Sequence, residues 1–406
     1  MCASCGPVEA TGRPQEFPWV ADDTLCVSDL QSGLLDRMVS RLVERGFVQT
    51  ARVERAFRAV PRHIFLPGVP FDKVYSGNAI LTRRGPDGLP YSSSSEVAIM
   101  AVMAEQLELE PGHRMLEIGA GTGYNAAILA TLVGPEGGVT TMDLDEEISA
   151  EARTNLARAG VTNARVLTGD GWLGDQTGAP FDRIEATASV WDLSPHWHAQ
   201  MHWGGMLVVP LFLRAGQQAS IAFRKDGPGF RSASVRPAGF MRLRGPHGGP
   251  QLSAPIDGWV VGPNEITPEG AHILGRVLQT EPHAETAPVP PRGWFTRVAL
   301  EDPFAFWTTH NEDHRYRVGI FIPERESLAV FEWRYGGPEE PRLLAFGDDS
   351  ALLRLREWLK PGAPLEVRHL NVDAIPAGSE IDTGGALVLR RPSFDVLIRY
   401  PSDPMV

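Results

Sequence analysis

Helical spacing of apolar residues marks two segments near the start of the chain. Gly33–Arg45 carries its apolar residues on one face, and Gly46 suits the end of a helix. A second helix with the same spacing follows and stops at Pro61. Residues 1–30 show little periodicity, so we expect an irregular arm there.

A third apolar helix is expected just before the central part of the chain. It carries Ile99, Met103 and Leu107, and it follows the serine run Ser92–Ser95. Serine is a favoured N-cap residue because its hydroxyl accepts a hydrogen bond from a free backbone N–H. The helix is therefore predicted to begin within the run.

From Arg114 onward the pattern alternates between strands and helices. Strands are predicted at Arg114–Ile118, Gly138–Met142, Ala164–Thr168, Phe181–Ala186 and Gly205–Pro210. Helices are predicted near Asn125–Leu132, Glu146–Ala159 and Pro195–Met201. Alternation with short loops indicates an α/β fold with a Rossmann-like, doubly wound parallel sheet, and a ligand at the carboxyl ends of the strands. Ala219–Arg224 and strands near Val235–Leu243 could close this sheet with antiparallel pairs.

The pattern changes after Arg244, where the Gly/Pro-rich stretch GPHGGPQLSAP indicates a boundary. Beyond it lie short β-like runs and two helix-like stretches, Pro268–Leu278 and Ser350–Leu359. We therefore predict three parts: an arm over 1–30, a main domain over 31–245, and a second, smaller α+β domain over 250–406.

Charge and composition limit the classes of partner. The net charge of −12 argues against nucleic acid, because phosphate binding needs a basic surface. No apolar run approaches the ~20 residues that span a bilayer, and the N-terminus lacks the features of a signal peptide, so a cytoplasmic protein without a membrane partner is expected. Cys2 and Cys5 have no second pair to complete a zinc site, and His196, His198 and His202 have no acidic or cysteine cluster beside them. No metal site is predicted.

The most informative motif is the glycine turn in MLEIGAGTGYN, residues 115–125. Gly119, Gly121 and Gly123 follow an apolar strand and precede a helix, and the next strand ends in Asp143. Glycines let the backbone turn tightly near a ligand, and a carboxylate can accept both ribose hydroxyls. The layout predicts a nucleoside cofactor. A purely structural turn, or a dehydrogenase, remains an alternative, although the spacing departs from the dinucleotide pattern G-x-G-x-x-G.

The motif E-x-G-x-G-x-G resembles motif I of the class I S-adenosylmethionine-dependent methyltransferases. The resemblance widens to the protein-L-isoaspartate (D-aspartate) O-methyltransferase family over about the first 245 residues. It is carried by the segments AFRAVPRHIFLP, YSSSSEVAIMAVMAEQLEL, MLEIGAGTGYNAAILA, TGDGWLG, FDRIEATAS and WGGMLVVP. This resemblance implies a carboxyl O-methyltransferase with S-adenosyl-L-methionine as its cofactor.

The resemblance also implies roles for single residues. The cofactor-binding residues it implies are Glu117, Gly119, Gly121, Gly123, Asn125, Asp143, Leu144, Asp170, Gly171 and Thr187. Among them Asp143 would take the ribose, Asp170 and Gly171 would lie beside the adenine, and Glu117 could help hold the methionine ammonium.

Ser95 occupies the place of the family's active-site serine, with Ser94 and Ser93 before it. The family has Gln-Pro or Ala-Pro after this serine, whereas this chain reads Glu96-Val97, so any serine of the run could face the acceptor. Serines that only cap the following helix are the alternative interpretation.

The long C-terminal addition resembles family members associated with ribosomally made, modified peptides of the lanthipeptide, graspetide and FxLD types. It implies methylation of an aspartate in a precursor peptide, followed by succinimide (aspartimide) formation and isoaspartate. The partner would be a peptide or protein bearing aspartate or isoaspartate, held by strand edges such as Val318–Ile322 or Val396–Tyr400. General isoaspartyl repair and a non-catalytic peptide-binding module remain alternatives.

Overall fold

The computed structural model describes residues 23–400, except for residues 87, 89, 251–253, 257–258, 264–266, 289, 291–292, 311–315, 334–339 and 361–364. Cys2 and Cys5 lie outside the described residues. The α-helices are α1 Asp23–Glu44, α2 Ala51–Ala59, α3 Phe71–Val74, α4 Val97–Gln106, α5 Tyr124–Val133, α6 Glu146–Arg158, α7 Pro195–Ala199, α8 Pro268–Leu278, α9 Trp294–Glu301 and α10 Ser350–Leu359. Within the described ranges, none of these helices combines the length and apolar character needed to cross a membrane.

The strands are β1 Ile80–Arg84, β2 Pro90–Ser94, β3 Arg114–Ile118, β4 Gly138–Asp143, β5 Ala164–Thr168, β6 Phe181–Ala186, β7 Met201–Phe212, β8 Gln218–Asp226, β9 Gly229–Pro237, β10 Ala254–Ile256, β11 Trp259–Pro263, β12 His283–Thr286, β13 Ala305–His310, β14 Tyr316–Ile322, β15 Ser327–Trp333, β16 Arg342–Phe346, β17 Asn371–Pro376, β18 Leu387–Leu389 and β19 Phe394–Arg399. Short 3₁₀ segments occur at Arg62–Phe65, Gly171–Leu173, Pro323–Arg325 and Val367–His369.

The predicted parallel sheet is confirmed. Strands β5, β4, β3, β6 and β7 lie side by side and pair in parallel, with antiparallel β8 and β9 following at one side. Helices α5 and α6 connect the first of these strands, as the alternating pattern predicts. This arrangement brings the carboxyl ends of β3, β4, β5 and β6 to one edge of the sheet, next to the glycine turn.

Two local predictions near the N-terminus need correction. Helix α1 begins at Asp23, so residues 23–30 of the predicted irregular arm are helical, and the rest of that prediction lies outside the described residues. Its apolar spacing continues backward from Leu34 through Leu30 and Val27, which a reading that began at Gly33 missed.

The serine run is the second correction, because it does not cap a helix. Ser92, Ser93 and Ser94 lie in β2, which pairs antiparallel with β1. Helix α4 begins only at Val97, with Glu96 at the N-cap position and no side-chain hydrogen bond there. The Val97 N–H donates instead to the Gly77 carbonyl, at 2.9 Å. Strand pairing thus takes the serines out of the helix.

The C-terminal part divides between two sheets. Residues 254–346 form a second, seven-stranded sheet in the order β10-β11-β13-β14-β15-β16-β12, with α8, α9 and α10 in the same region. The sequence predicts one unit over 250–406, but β17, β18 and β19 return to the first sheet, where β17 pairs with β9. Their side chains Val372, Ala374, Val396 and Ile398 are buried in one apolar cluster with Leu116 and Ile184. The second sheet is therefore an insertion between β9 and β17.

The two segments predicted to offer exposed strand edges are interior. Val318–Ile322 belongs to β14, which lies between β13 and β15, and most of Val396–Tyr400 belongs to β19, which lies between β18 and β17. Both edges of each strand are already paired, so the prediction that an extended peptide adds to them is wrong. Among the described strands, apart from the two-stranded β1–β2 pair, the edges belong to β10 and β12 in the seven-stranded sheet and to β18 and β5 in the first sheet.

Candidate cofactor and acceptor site

A cavity of about 770 Å³ opens at the carboxyl ends of β3, β4 and β6. Its walls are the glycine turn, the end of β4, the serine run in β2 and residues 237–244, which follow β9. The volume falls within the range typical of small-molecule and cofactor sites. Of the residues predicted for the site, those that line the cavity are Ser93, Ser94, Ser95, Gly119, Gly121, Asn125, Asp143, Leu144, Gly171 and Thr187. Glu117, Gly123 and Asp170 lie outside this lining.

The glycine turn needs its glycines for both conformation and space. Gly119 has φ +105°, and a β-carbon there would meet the Thr187 hydroxyl oxygen at 2.4 Å. That hydroxyl donates to the Gly119 carbonyl at 2.8 Å, so Thr187 closes against the turn. Gly123, with φ +85°, packs its backbone against Ala152 of α6. The turn is thereby held between β6 on one side and α6 on the other.

Asp143 ends β4 with its carboxylate facing the turn. Its Oδ2 accepts from the Gly121 N–H and its Oδ1 from the Asp145 N–H, both at 3.2 Å. Burial raises the pKa of Asp143, and the two backbone hydrogen bonds oppose that shift. Arg244 lies 3.4 Å from Oδ1 and stacks over Tyr91 of β2, with 4.7 Å from its guanidinium carbon to the ring centre. Arg244, which sequence reasoning missed, therefore joins the acid of β4 to the serine-bearing strand.

The segment predicted to lie beside the adenine is held by a cap and an indole. Asp170 Oδ1 accepts from the Trp172 N–H at 2.9 Å and so fixes the start of a 3₁₀ turn. The indole N–H of fully buried Trp197 donates to the Gly171 carbonyl at 2.8 Å. These contacts place the backbone of Gly171 in the cavity wall, which exposed Leu144 also lines.

Two buried carboxyl groups lie at the β6 side of the cavity. Glu117 of β3 and Glu185 of β6 are register partners in the parallel sheet, and neither is more than 1% exposed. The Asn125 side-chain nitrogen donates to both, at 2.7 Å to Glu117 Oε1 and 2.8 Å to Glu185 Oε2. Burial raises the pKa of Glu117 to about 7 and, with the charge of Glu117 adding to it, that of Glu185 to about 8. Sequence reasoning missed Glu185, although a glutamate in the otherwise apolar half of β6 is a signal.

The serine run presents alternate hydroxyls to different partners, as side chains of a strand must. Ser92 Oγ accepts from Thr82 at 3.0 Å, and Ser94 Oγ accepts from Arg62 at 3.2 Å. The hydroxyls of Ser93 and Ser95 form no hydrogen bond to another described residue. Of the three serines predicted to act on an acceptor, Ser94 is thus already engaged, and Ser93 and Ser95 are available at the cavity wall.

Arg62 fixes the backbone of that run. Its side chain is fully buried, and it donates to the carbonyls of Val74, Asn78, Ser94 and Ser95 at 2.8–3.3 Å. Burial lowers the pKa of Arg62. The segment V-P-R of the sequence contains this arginine, but nothing in the local pattern reveals that it reaches the serines.

Comparison with known proteins shows similarity to protein-L-isoaspartate O-methyltransferases. The family model for "Protein-L-isoaspartate(D-aspartate) O-methyltransferase (PCMT)" matches residues 35–244. The protein-L-isoaspartate O-methyltransferase of Methanopyrus kandleri is 35% identical over 214 residues, which cover 52% of this chain and 92% of the relative. That of Thermotoga maritima is 35% identical over 178 residues, which cover 43% of this chain and 56% of the relative. A solved protein-L-isoaspartate O-methyltransferase is similar in fold, with a TM-score of 0.51 and 22% identity, covering 90% of this chain and 99% of that one.

Proposed function

The chain belongs to the protein-L-isoaspartate (D-aspartate) O-methyltransferase family, and we propose that it methylates an aspartate or isoaspartate side chain of a peptide at the cavity described above. As a member of this family it is an S-adenosylmethionine-dependent carboxyl methyltransferase that acts on protein or peptide substrates. The observation that carries the proposed site is the meeting of Asp143, the glycine turn and the free hydroxyls of Ser93 and Ser95 in one cavity.

The residues present suit the cofactor. Asp143 offers a carboxylate to the ribose, the backbone of Gly119 and Gly121 admits close approach, and Gly171 forms the wall on the adenine side. The Oε2 atom of buried Glu117 has no hydrogen-bond partner among the described residues, as expected of a group that awaits a donor. The cofactor supplies an electrophilic methyl group on a sulfonium.

The protein needs no general base for this reaction. An aspartate carboxylate is already ionised at neutral pH, so its oxygen can attack directly. What the chain must supply is alignment, and positioning can contribute ~7–11 kcal/mol. We assign this to Ser95, whose hydroxyl can donate to one carboxylate oxygen while the other faces the methyl group. Arg62 acts through the Ser95 carbonyl, so it is a positioning residue.

Binding and turnover test this assignment. Titration calorimetry of the full chain should show binding of S-adenosylhomocysteine and none of NAD. Asp143→Asn should weaken that binding by roughly 1.5–3 kcal/mol, the scale of hydrogen bonds to a charged group. Tight binding of NAD would overturn the assignment. Binding without methylation of any aspartyl or isoaspartyl peptide would favour the non-catalytic module.

The finer proposal concerns the substrate, which we take to be an aspartate in a maturing ribosomal precursor peptide. The support is architectural: the catalytic motifs are complete before residue 245, and a second sheet of 254–346 is inserted afterwards. We propose that this insertion contributes to peptide selection. After methylation, the next backbone nitrogen bonds to the ester carbon and methanol leaves, carrying the nitrogen's proton. The product is a succinimide, which water can open to isoaspartate.

General isoaspartyl repair is the second candidate, and one observation favours it. The fold similarity to a solved protein-L-isoaspartate O-methyltransferase covers 90% of this chain, so the fold of the region after residue 245 is not confined to this chain. Two peptides of one sequence, with aspartate or isoaspartate at the same position, separate the candidates. Faster esterification of the isoaspartyl peptide, regardless of surrounding sequence, supports repair. Mass spectrometry that finds an ester and then loss of methanol at one normal aspartate, dependent on a leader segment, supports tailoring.

A further inference from the structure

The buried carboxyl groups of Glu117 and Glu185 have more hydrogen-bond acceptor sites, and could carry more negative charge, than the described side chains around them satisfy. Among the described residues, the one side-chain donor that reaches both is Asn125, whose amide nitrogen donates to each. No described lysine or arginine forms a salt bridge with either carboxyl group. Within the described ranges Glu117 Oε2 makes no hydrogen bond of good geometry, and its neighbour on β4, the Thr141 hydroxyl, is neutral and only lowers the pKa of Glu117. Buried carboxylates are normally paired with a cation or are kept neutral by a proton.

The position of the pair along the sheet identifies what could complete it. The cavity follows the strand ends in the order β5, β4, β3, β6, from Gly171 after β5 to Glu185 on β6. Neighbouring strands are about 4.8 Å apart, so Glu185 is roughly 10 Å from the Asp143 strand, on the side away from Gly171. A nucleoside with its base near Gly171 and its ribose at Asp143 extends its 5′ substituent toward Glu185. In S-adenosylmethionine that substituent ends in an amino acid with an ammonium group.

We propose that Glu185, which lines the cavity, binds the ammonium at the amino-acid end of the cofactor, that buried Glu117 behind it adds negative charge, and that the proton held by the empty pair is released when the ammonium arrives. This inference rests on the cofactor site proposed above. It assigns a role to Glu185, and it gives Asn125 the role of holding the two carboxyl groups at one point. The ammonium supplies donors to oxygens that Asn125 leaves unsatisfied.

The charges that face the pair fit this assignment. Asp143 raises the pKa of Glu117 further, by like-charge repulsion from β4. Arg244 pairs with Asp143, and Arg242 donates to the Gly248 and Pro250 carbonyls, so neither arginine of the cavity wall neutralises the pair.

The sign of the pH dependence follows from the raised values. With Glu117 at about 7 and Glu185 at about 8, the empty pair holds at least one proton at neutral pH. Both pKa values lie above 4.5, the ordinary value for glutamate. The pair therefore lowers the free energy of unfolding increasingly as pH rises from about 4.5 through the pKa values of the folded chain. A bound ammonium favours the ionised form and so lowers both pKa values. Affinity for an ammonium-bearing ligand should therefore rise between about pH 6 and about pH 7.5, by at most tenfold per pH unit for one proton.

The experiment compares two ligands on the full chain. S-adenosylhomocysteine carries the ammonium, whereas 5′-methylthioadenosine has the same nucleoside and thioether without the amino acid. Calorimetry at pH 7, in buffers of different ionisation enthalpy, measures the protons released. We expect release of up to one proton with S-adenosylhomocysteine and none with 5′-methylthioadenosine. Equal release with both ligands overturns the proposal, and this arm needs no variant.

A variant locates the effect. Glu185→Gln keeps the shape of the side chain and cannot ionise, so it should fold at least as well as the natural chain above pH 7. It should bind S-adenosylhomocysteine roughly tenfold more weakly, with less proton release, and 5′-methylthioadenosine within twofold of the natural value. The control is Glu332→Gln, which neutralises a buried glutamate of the second sheet that pairs with Arg342 and lies outside the cavity. It should change neither the affinity for S-adenosylhomocysteine nor the proton release.

The outcomes separate this inference from the proposed function. Unchanged affinity and proton release in Glu185→Gln would refute the role of Glu185 while leaving the cofactor site intact. Failure of the natural chain to bind S-adenosylhomocysteine at all would refute the cofactor site itself.

Discussion

Replacing Arg62 with methionine tests how the serine strand is held. The change keeps most of the side-chain volume and removes every donor of the guanidinium. Four backbone carbonyls lose their partner: those of Val74, Asn78, Ser94 and Ser95, at 3.0, 3.1, 3.3 and 2.8 Å. Ser94 also loses the hydrogen bond to its hydroxyl.

The magnitude follows from two opposing effects. A buried polar group left without a partner costs about 1–3 kcal/mol, and four carbonyls are affected. Removing a buried cation recovers its desolvation cost, which is the same effect that lowers the pKa of Arg62. We expect a net loss of about 3–5 kcal/mol, at the high end for a single substitution because several buried polar groups lose a donor at once.

Urea denaturation and steady-state kinetics measure the two consequences. Arg62→Met should reduce the free energy of unfolding by that amount. It should lower kcat/KM for the peptide by about 10–100-fold, equivalent to ~1.4–2.8 kcal/mol, because the Ser95 carbonyl is no longer fixed. The affinity for S-adenosylhomocysteine should stay within about threefold of the natural value, because Arg62 does not line the cavity.

Arg183→Met is the matched control. Arg183 is half-buried, less than Arg62, and it likewise donates to backbone carbonyls, those of Leu107, Asp182 and Glu108, but it lies outside the cavity wall. It should lose stability without a specific loss of peptide turnover. Equal kinetic defects in Arg62→Met and Arg183→Met would refute the positioning role, and so would natural kinetics in a folded Arg62→Met.

Three further perturbations probe the site and the sheet. Ser95→Ala should lower turnover at least tenfold with cofactor affinity unchanged, whereas Ser94→Ala should mainly cost about 1 kcal/mol in urea denaturation; the reverse pattern would move the acceptor contact to Ser94. Gly119→Ala should cost about 3 kcal/mol or more of stability in thermal unfolding, because its β-carbon would lie 2.4 Å from the Thr187 hydroxyl and φ is positive there. Adding Thr187→Ala should restore only part of this loss, because the positive φ remains. A chain that ends at Arg244 should lack cooperative unfolding in calorimetry, since it loses the strands that pair with β9; a stable, cofactor-binding fragment would contradict this.

The amino-acid sequence alone determined the parts that depend on short-range periodicity. The five parallel strands and helices α5 and α6 lie within a few residues of their predicted bounds, and Pro268–Leu278 and Ser350–Leu359 match α8 and α10. A helix forms its backbone hydrogen bonds within one segment, and these strands and helices alternate in sequence. The local pattern of apolar residues is therefore enough to predict them. The glycine turn and the acid after the next strand are local for the same reason.

The tertiary structure alone decided which distant segments meet. A serine run suits an N-cap or a strand equally, and only pairing with Ile80–Arg84 made it a strand. The final strands β17, β18 and β19 could have joined either sheet. They belong to the first because β17 pairs with the edge of β9 and their apolar side chains are buried in the same cluster. Glu185 meets Glu117 only because β6 pairs with β3, although the two residues are far apart in sequence. Pairing of this kind depends on the free energy of burying whole faces together, which no single segment carries by itself.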